Sequence, residues 1–186
     1  SIFNREYCDD GAVVGSIRNK ECKIDGISQS WAVISGASET NKMKSSMDSL
    51  ETYLVDRKLG IIKLLTPPFE CGDINPGYIK SYLPGTRENG GQYTHGAIWA
   101  IIAETLIGNG NRAMEYLKMI CPLEHSKDKS SADVYKLEPY VIAADIYSAD
   151  NLRGRGGWSW YTGSASWYYI CYVKYILGMH ISKGYL

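Results

Sequence analysis

Phenylalanine and histidine are nearly missing from this chain, which has two Phe and three His in 186 residues. With only His95, His125 and His180 available, and no Cys-x-x-Cys pair, the sequence spells no zinc-like ligand cluster. Its five cysteines, Cys8, Cys22, Cys71, Cys121 and Cys171, are odd in number and scattered. That excludes a disulfide framework and predicts free thiols in a reducing compartment. Neither sign of charge is in excess, with 20 Lys plus Arg against 20 Asp plus Glu, so an electrostatic footprint for nucleic acid or an anionic membrane is lacking. Apolar runs approaching the ~18 residues of a membrane span are lacking too. The polar opening Ser1-Ile2-Phe3-Asn4-Arg5-Glu6 is not that of a signal peptide. The chain therefore reads as soluble, with small or neutral partners, no nucleic acid and no membrane contact from this segment.

What is abundant is tyrosine and tryptophan, 15 and 5 respectively. Aromatic faces with polar edges suit wet cores and stacking on carbohydrate alike. The length fits one domain with a sizeable core, or half of something larger.

Hydrophobic spacing predicts helices in sequential pairs. Ile24, Ile27, Trp31 and Ile34 share one face and Gly36 ends that segment; Met43, Met47, Leu50 and Leu54 make the next stripe, with Ser38 as a candidate cap and Gly60 as the stop. A second pair follows His95: Ala97, Ile98, Ile101, Ile102 and Leu106 run to about Gly108, and a short helix carries Ala113, Leu117 and Ile120. For a third, Glu138-Pro139 puts proline in a first helical turn, with Val141, Ile142 and Ile146 continuing it, and Gly163 to Leu177 supplies the partner. Two connections, about Lys58 to Gly91 and Ser148 to Thr162, are too long for turns and rich in Gly, Tyr or Trp. Such connections are expected to form sites. Asp9-Asp10-Gly11 reads as a turn, while Asp48, Glu51, Glu104 and Glu115 read as solvated helix faces.

The stretch Arg87-Glu88-Asn89-Gly90-Gly91-Gln92-Tyr93-Thr94-His95 sets an acid, a polar turn and a histidine before an apolar helix. With Asn89 to Gly91 as the turn that opens the helix, free amides there favour an anion. Glu88 could then hold hydroxyls of a sugar while His95 donates to the anion. The plainer alternative is a capped helix with a buried, satisfied histidine. Gly154 to Gly163 repeats this logic. It lacks the ending of a P-loop, yet Thr162 and Gly163 sit where a helix begins, and if both mouths face one cavity they would share an anion with His95. Otherwise Thr162 simply caps its helix. Of the tryptophans, only Trp158 and Trp160, in the loop, are candidates for a sugar platform; Trp167 reads as core.

The runs Lys23 to Gly36, Pro84 to His95, Glu138-Pro139-Tyr140-Val141 and Trp158 to Ala165 resemble glycoside hydrolase family 94, formerly glycosyltransferase family 36, in that family's order across almost the whole chain. The family holds inverting phosphorylases for cellobiose, cellodextrin, chitobiose and laminaribiose, together with the C-terminal phosphorylase-like region of cyclic β-1,2-glucan synthases. Gln29 to Gly36 combined with Gly154-Arg155-Gly156-Gly157-Trp158 is most similar to the glucan synthase branch.

The resemblance implies an all-α (α/α)6 barrel, with residues 1–186 as about its C-terminal half. It implies phosphorolysis of a β-glucoside with inversion, giving α-glucose 1-phosphate, with inorganic phosphate as co-substrate and no cofactor. His95, Thr162 and Gly163 match the family's phosphate-binding residues, and Glu88 matches a glutamate on the donor sugar. The general acid lies in an Asp-Trp-Asn-Asp-like motif that these 186 residues do not contain, so no catalytic residue is expected here and the segment alone should be inactive. Where the disaccharide phosphorylases carry a glutamine after Glu-Pro-Tyr-Val, this chain has Ala143-Ala144. Expected partners are a β-linked oligosaccharide or glucan, phosphate, and the rest of the barrel or a second copy of the chain. The expected setting is cytoplasmic, alone or within a larger membrane-associated synthase. Two other readings stay open: a non-catalytic carbohydrate-binding or assembly half-barrel, and a hydrolase on the same fold.

Overall fold

The structure, a computed structural model, describes residues 2–185. Strand β1 (Glu6–Tyr7) pairs antiparallel with β2 (Val13–Val14), and Asp9-Asp10-Gly11 forms the turn between them, Gly11 at φ 82°. β3 (Ile24–Asp25) runs directly into α1 (Gly26–Ile34). Ile24 thus belongs to the strand, because fully buried Asp25 caps the helix by accepting the N–H groups of Ile27 and Ser28. Arg5 reaches the same carboxylate at 2.6 Å and anchors the N-terminal segment there. The N-cap of α2 (Thr40–Leu54) is Glu39 rather than Ser38, and no side chain caps it. This helix stops before Gly60, since β4 (Val55–Asp56) folds back on β5 (Ile61–Ile62), with Gly60 in the turn at φ 72°. β6 (Leu65–Thr66) returns to pair with β3.

A 3-10 turn at Gly77–Ser81 precedes β7 (Gln92–Tyr93), which opens α3 (Thr94–Leu106). Asn89 does not open that helix. It is buried, and its amide accepts from Phe69 N and donates to the carbonyls of Phe69 and Tyr82, so it stitches the long connection together. α4 (Gly110–Met119), the short α5 (Pro122–His125) and α6 (Lys129–Tyr135) follow. β8 (Asp145–Ile146) pairs antiparallel with β7, and α7 (Thr162–Ile170) continues into a π-helical segment, Cys171–Ile176.

The third predicted helix pair does not form: Glu138 to Ile146 is extended or turning, not helical. The helix lies just upstream instead. Asp128 caps α6 by accepting Ser131 N–H, and Lys136 closes it in the left-handed region at φ 60°. Past Pro139 the β-branched run spends its backbone groups on neighbours. Thr94 N–H bonds to Ala144 O, Ala144 N–H to Trp158 O, and Tyr161 N–H to Ile142 O. Those partners outweigh a local helical preference that β-branched residues hold only weakly. The described residues are helix-rich with four two-stranded ladders among them, which the all-α expectation did not include.

α3 is the centre of the core. Ala97, Ile98, Ala100, Ile101, Ile102 and Ala103 are all buried, so the helix is apolar all round and enclosed by neighbours. α1, α4, α7 and the π-helical segment supply them. The mouths of α1, α3 and α7 are laced side by side. Gly26 N–H bonds to Leu64 O, Leu64 N–H to Gly91 O and Thr94 N–H to Ala144 O, so the long connections run as rungs from one mouth to the next. Gly85 is needed where two of them touch, since a Cβ there would lie 2.4 Å from Ala149 N.

Glu104 is not on a solvated face. It is fully buried at the end of α3, where burial raises its pKa, and it accepts from Asn109 Nδ2 at 2.7 Å and Arg112 at 3.3 Å. Arg112 also pairs with Asp48 and Glu51 of α2, cross-linking three helices. Arg112→Ala would strand Glu104 with Asn109 alone. Protonation of the carboxyl would limit the loss to about 2 kcal/mol, below the full cost of breaking a buried pair; denaturant unfolding of the intact protein measures it.

Candidate functional site

The site begins at the mouth of α3. Its N-cap, Tyr93, provides no side-chain cap bond. His95, half-buried in the first turn, is walled by aromatic rings, with centroids 5.4 Å from Tyr93, 5.8 Å from Trp99 and 5.4 Å from Tyr161, the last edge-on. Trp99 carries this wall inward to Trp31 and Trp167, at 5.5 and 5.9 Å. Burial lowers the His95 pKa from 6.5, so the imidazole is uncharged at neutral pH. Its Nδ1 is buried without a hydrogen-bond partner. An N–H left there would cost about 1–3 kcal/mol, so the ring hydrogen belongs on Nε2. The capped-helix alternative is not realised: this helix has no side-chain cap, and the histidine is not satisfied.

The mouth of α7 meets this ring. Thr162 and Gly163 are the first two residues of the helix and both are exposed. The N-cap is Tyr161, again without a side-chain cap bond, so Thr162 is not the cap. A Cβ on Gly163 would lie 3.1 Å from both Cε1 and Nε2 of His95. Tyr93 and Tyr161, 68 positions apart, bring their hydroxyls to 3.3 Å. His95, Thr162 and Gly163 are therefore gathered at one place, with the His95 Nε2 edge toward the uncapped start of α7.

Glu88 is half-buried on the neighbouring connection, and its charge raises the pKa of Tyr78 and contributes to raising that of Tyr93, for both of which burial is the larger cause. Arg87, in the left-handed region at φ 47°, lays its guanidinium between Tyr82 and Trp158, at 5.2 and 5.4 Å from the ring centres. The two candidate tryptophans separate here. Trp158, 61% exposed, stacks with Arg87, the sequence neighbour of Glu88. Trp160, 64% exposed, donates its Nε1–H to Glu138 at 3.3 Å and meets Tyr140 edge-on.

Sequence reasoning missed Tyr93, Tyr161 and Asp145. A signal for the first two was present: the same dipeptide, Tyr93-Thr94 and Tyr161-Thr162, starts both helices. Nothing local marks Asp145, which is buried by the neighbouring connection. Among the described residues no group of three or more His, Cys, Asp or Glu could hold a metal ion, and no helix is long and apolar enough to cross a membrane. None of the five cysteines is disulfide-bonded, and burial pushes the Cys22 and Cys171 thiols up to about 12. A cleft of about 740 Å³ lined by Lys58, Lys118, His125 and Ser131 contains none of the candidate site residues.

Comparison with known proteins matches residues 1–178 to the glycosyl hydrolase 94 superfamily, catalytic domain. The chain is 46% identical over 177 residues to the cyclic beta-(1,2)-glucan synthase NdvB of Rhizobium meliloti (strain 1021), covering 95% of this chain and 6% of that protein. It is 31% identical over 175 residues to the solabiose phosphorylase of Paenibacillus borealis, covering 94% of this chain and 22% of that protein. With the N,N'-diacetylchitobiose phosphorylase of Vibrio furnissii it shares 30% identity over 178 residues, 95% of this chain and 22% of that protein. The chain thus spans less than a quarter of the length of these relatives.

Proposed function

The chain belongs to the glycosyl hydrolase 94 family, and on that premise we propose that it is the C-terminal part of an (α/α)6 barrel that phosphorolyses β-glucosides, as a glycoside phosphorylase or within a glucan synthase. The observation that carries this reading is the convergence of His95 with Thr162 and Gly163 at two uncapped helix mouths. A helix start with free amides and a neutral imidazole donor suits an oxyanion.

In the reaction, a phosphate oxygen attacks the anomeric carbon as the bond to the leaving oxygen breaks. The proton for that oxygen comes from an acid outside these residues. An inverting hydrolase needs a second carboxylate to activate water. Phosphate is already a nucleophile at neutral pH, so the requirement is to hold it in line, and donors that need no reorganisation do that. Glu88 accepts from sugar hydroxyls, and the exposed Trp158 and Trp160 offer stacking surfaces to the oligosaccharide.

The rest of the barrel, or a second copy of the chain, would cover the exposed Tyr169 of α7, Tyr172 of the π-helical segment and Leu177 just past it. Five unpaired cysteines fit a cytoplasmic setting.

The test is release of glucose 1-phosphate by the intact protein from β-1,2-gluco-oligosaccharides and from cellobiose, across a phosphate titration. Turnover should rise with phosphate and saturate, with the β-1,2 substrate preferred. A rate independent of phosphate, yielding glucose, would instead support the hydrolase reading. Oligosaccharide binding without turnover would support the non-catalytic one.

A further inference from the structure

Asp145 lies where the two site-bearing connections cross. Its strand, β8, pairs with β7 in a register that sets Asp145 opposite Tyr93, the residue that precedes α3. The side chain is 2% exposed and lies beneath the turn at Gly157-Trp158. Oδ1 accepts the Trp158 backbone N–H at 3.2 Å, and the Asp145 carbonyl accepts Gly157 N–H at 2.9 Å. Gly157 has no room for a side chain, because a Cβ would fall 2.3 Å from Oδ1 and 2.7 Å from the Tyr147 hydroxyl. From the other connection, the Arg87 guanidinium lies 5.4 Å from the ring centre of that same Trp158, and its charge acts on the carboxylate. Oδ2 is buried without a hydrogen-bond partner.

A buried carboxylate with one oxygen unsatisfied is costly, and a hydrophobic side chain would fill this space without that cost. What the carboxylate supplies is a fixed point for the Trp158 backbone, and Arg87 of the other loop rests on that tryptophan's ring. Glu88 adjoins Arg87 on the first loop, and Trp158 belongs to the second.

We propose that Asp145 is a positioning residue: it fixes the Arg87-Glu88 loop and the Gly157-Trp158 turn relative to each other, so that Glu88 and Trp158 meet a sugar ring from set positions. The sugar-facing half of this inference rests on the function proposed above; the tethering half does not.

The experiment compares Asp145→Ala and Asp145→Asn in the intact protein. Asn keeps an acceptor at the Oδ1 position, whereas Ala keeps none. In the Ala variant, amide hydrogen exchange over 157–159 should quicken by about tenfold, as expected for losing a hydrogen bond to a charged acceptor, with a smaller rise over 86–88, which is coupled through the Arg87–Trp158 contact, and α3 unchanged. KM for the β-linked oligosaccharide should rise by about tenfold with kcat held within about twofold, the pattern of lost binding rather than lost chemistry. Asn should restore both. Exchange in Ala equal to wild type overturns the tether, and so does equal impairment of Ala and Asn. A fall in kcat at constant KM overturns the positioning role. If the intact protein shows no phosphorolysis at all, the proposed function fails by itself. Exchange, together with a tryptophan-fluorescence titration with β-1,2-gluco-oligosaccharide, then still decides whether Asp145 holds the loops and the sugar surface.

Discussion

Replacing His95 with alanine in the intact protein is expected to cut phosphorolysis by about a thousandfold, the upper range for losing one preorganised donor to a developing or bound oxyanion. The loss should be specific. His95 sits in the first turn of α3, and its ring packs on Tyr93, Trp99 and Tyr161 without making a hydrogen bond through Nδ1. Alanine favours the helix and removes only that ring contact, so circular dichroism and the cooperativity of unfolding should be retained. A collapse of the fold in parallel with activity would show the histidine to be a core residue.

The same variant has a signature in pH. Because burial holds the folded His95 pKa below 6.5, the unfolded chain takes up a proton near 6.5 that the folded chain refuses. Stability contributed by the neutral ring is therefore complete above 6.5 and is lost as the pH falls from there toward the folded pKa. The stability difference between wild type and His95→Ala should shift against wild type over that window. A difference that stays flat from pH 7.5 to about 5 would contradict a desolvated imidazole.

Gly163→Ala should separate stability from activity. The new Cβ would stand 3.1 Å from Cε1 and Nε2 of His95, closer than ordinary van der Waals contact. The ring has little freedom to retreat, since Tyr93, Trp99 and Tyr161 surround it. Either the imidazole tilts or the start of α7 shifts, and both move donors away from a shared anion. A displacement of that kind costs about a hundredfold in kcat/KM for phosphate. Meanwhile alanine in place of glycine within a helix adds about 0.5–1 kcal/mol of stability where its backbone conformation allows it. The close contact offsets that gain, so the expected result is a melting temperature within a few degrees of wild type and much lower turnover. Unchanged kcat/KM for phosphate would mean that His95 and Gly163 do not serve one ligand.

Much of the helical framework was legible locally. The apolar stripes of α1 to α4 declare themselves by spacing, and Gly36, Gly108 and Gly178 stand just past helix ends with φ of 66°, 87° and 69°. Those stops are chemistry of single residues, since only glycine enters the left-handed region without strain. The candidate residues Glu88, His95, Thr162 and Gly163 were found from the same local grammar, acid and histidine before a helix and threonine-glycine at another.

The run from Glu138 to Ile146 was misread for the opposite reason. A short apolar stretch with β-branched residues fits helix or strand alike. The choice fell to distant partners, Tyr93, Thr94 and Trp158, which no window around Val141 contains. Glu104 was misread likewise: its place in a helix suggests solvent, and only the approach of Arg112 and Asn109 makes a buried carboxylate tolerable. The sequence by itself determined the apolar stripes of α1 to α4, the glycine stops at Gly36, Gly108 and Gly178, and which residue types stand at the helix mouths, because periodicity and glycine conformation act within a few positions. Only the tertiary structure decided that the mouths of α3 and α7 share one ring of aromatics around His95, and that Asp145 lies under the loops. Those facts depend on how apolar α3 is enclosed, a packing outcome set by side chains far apart in the chain.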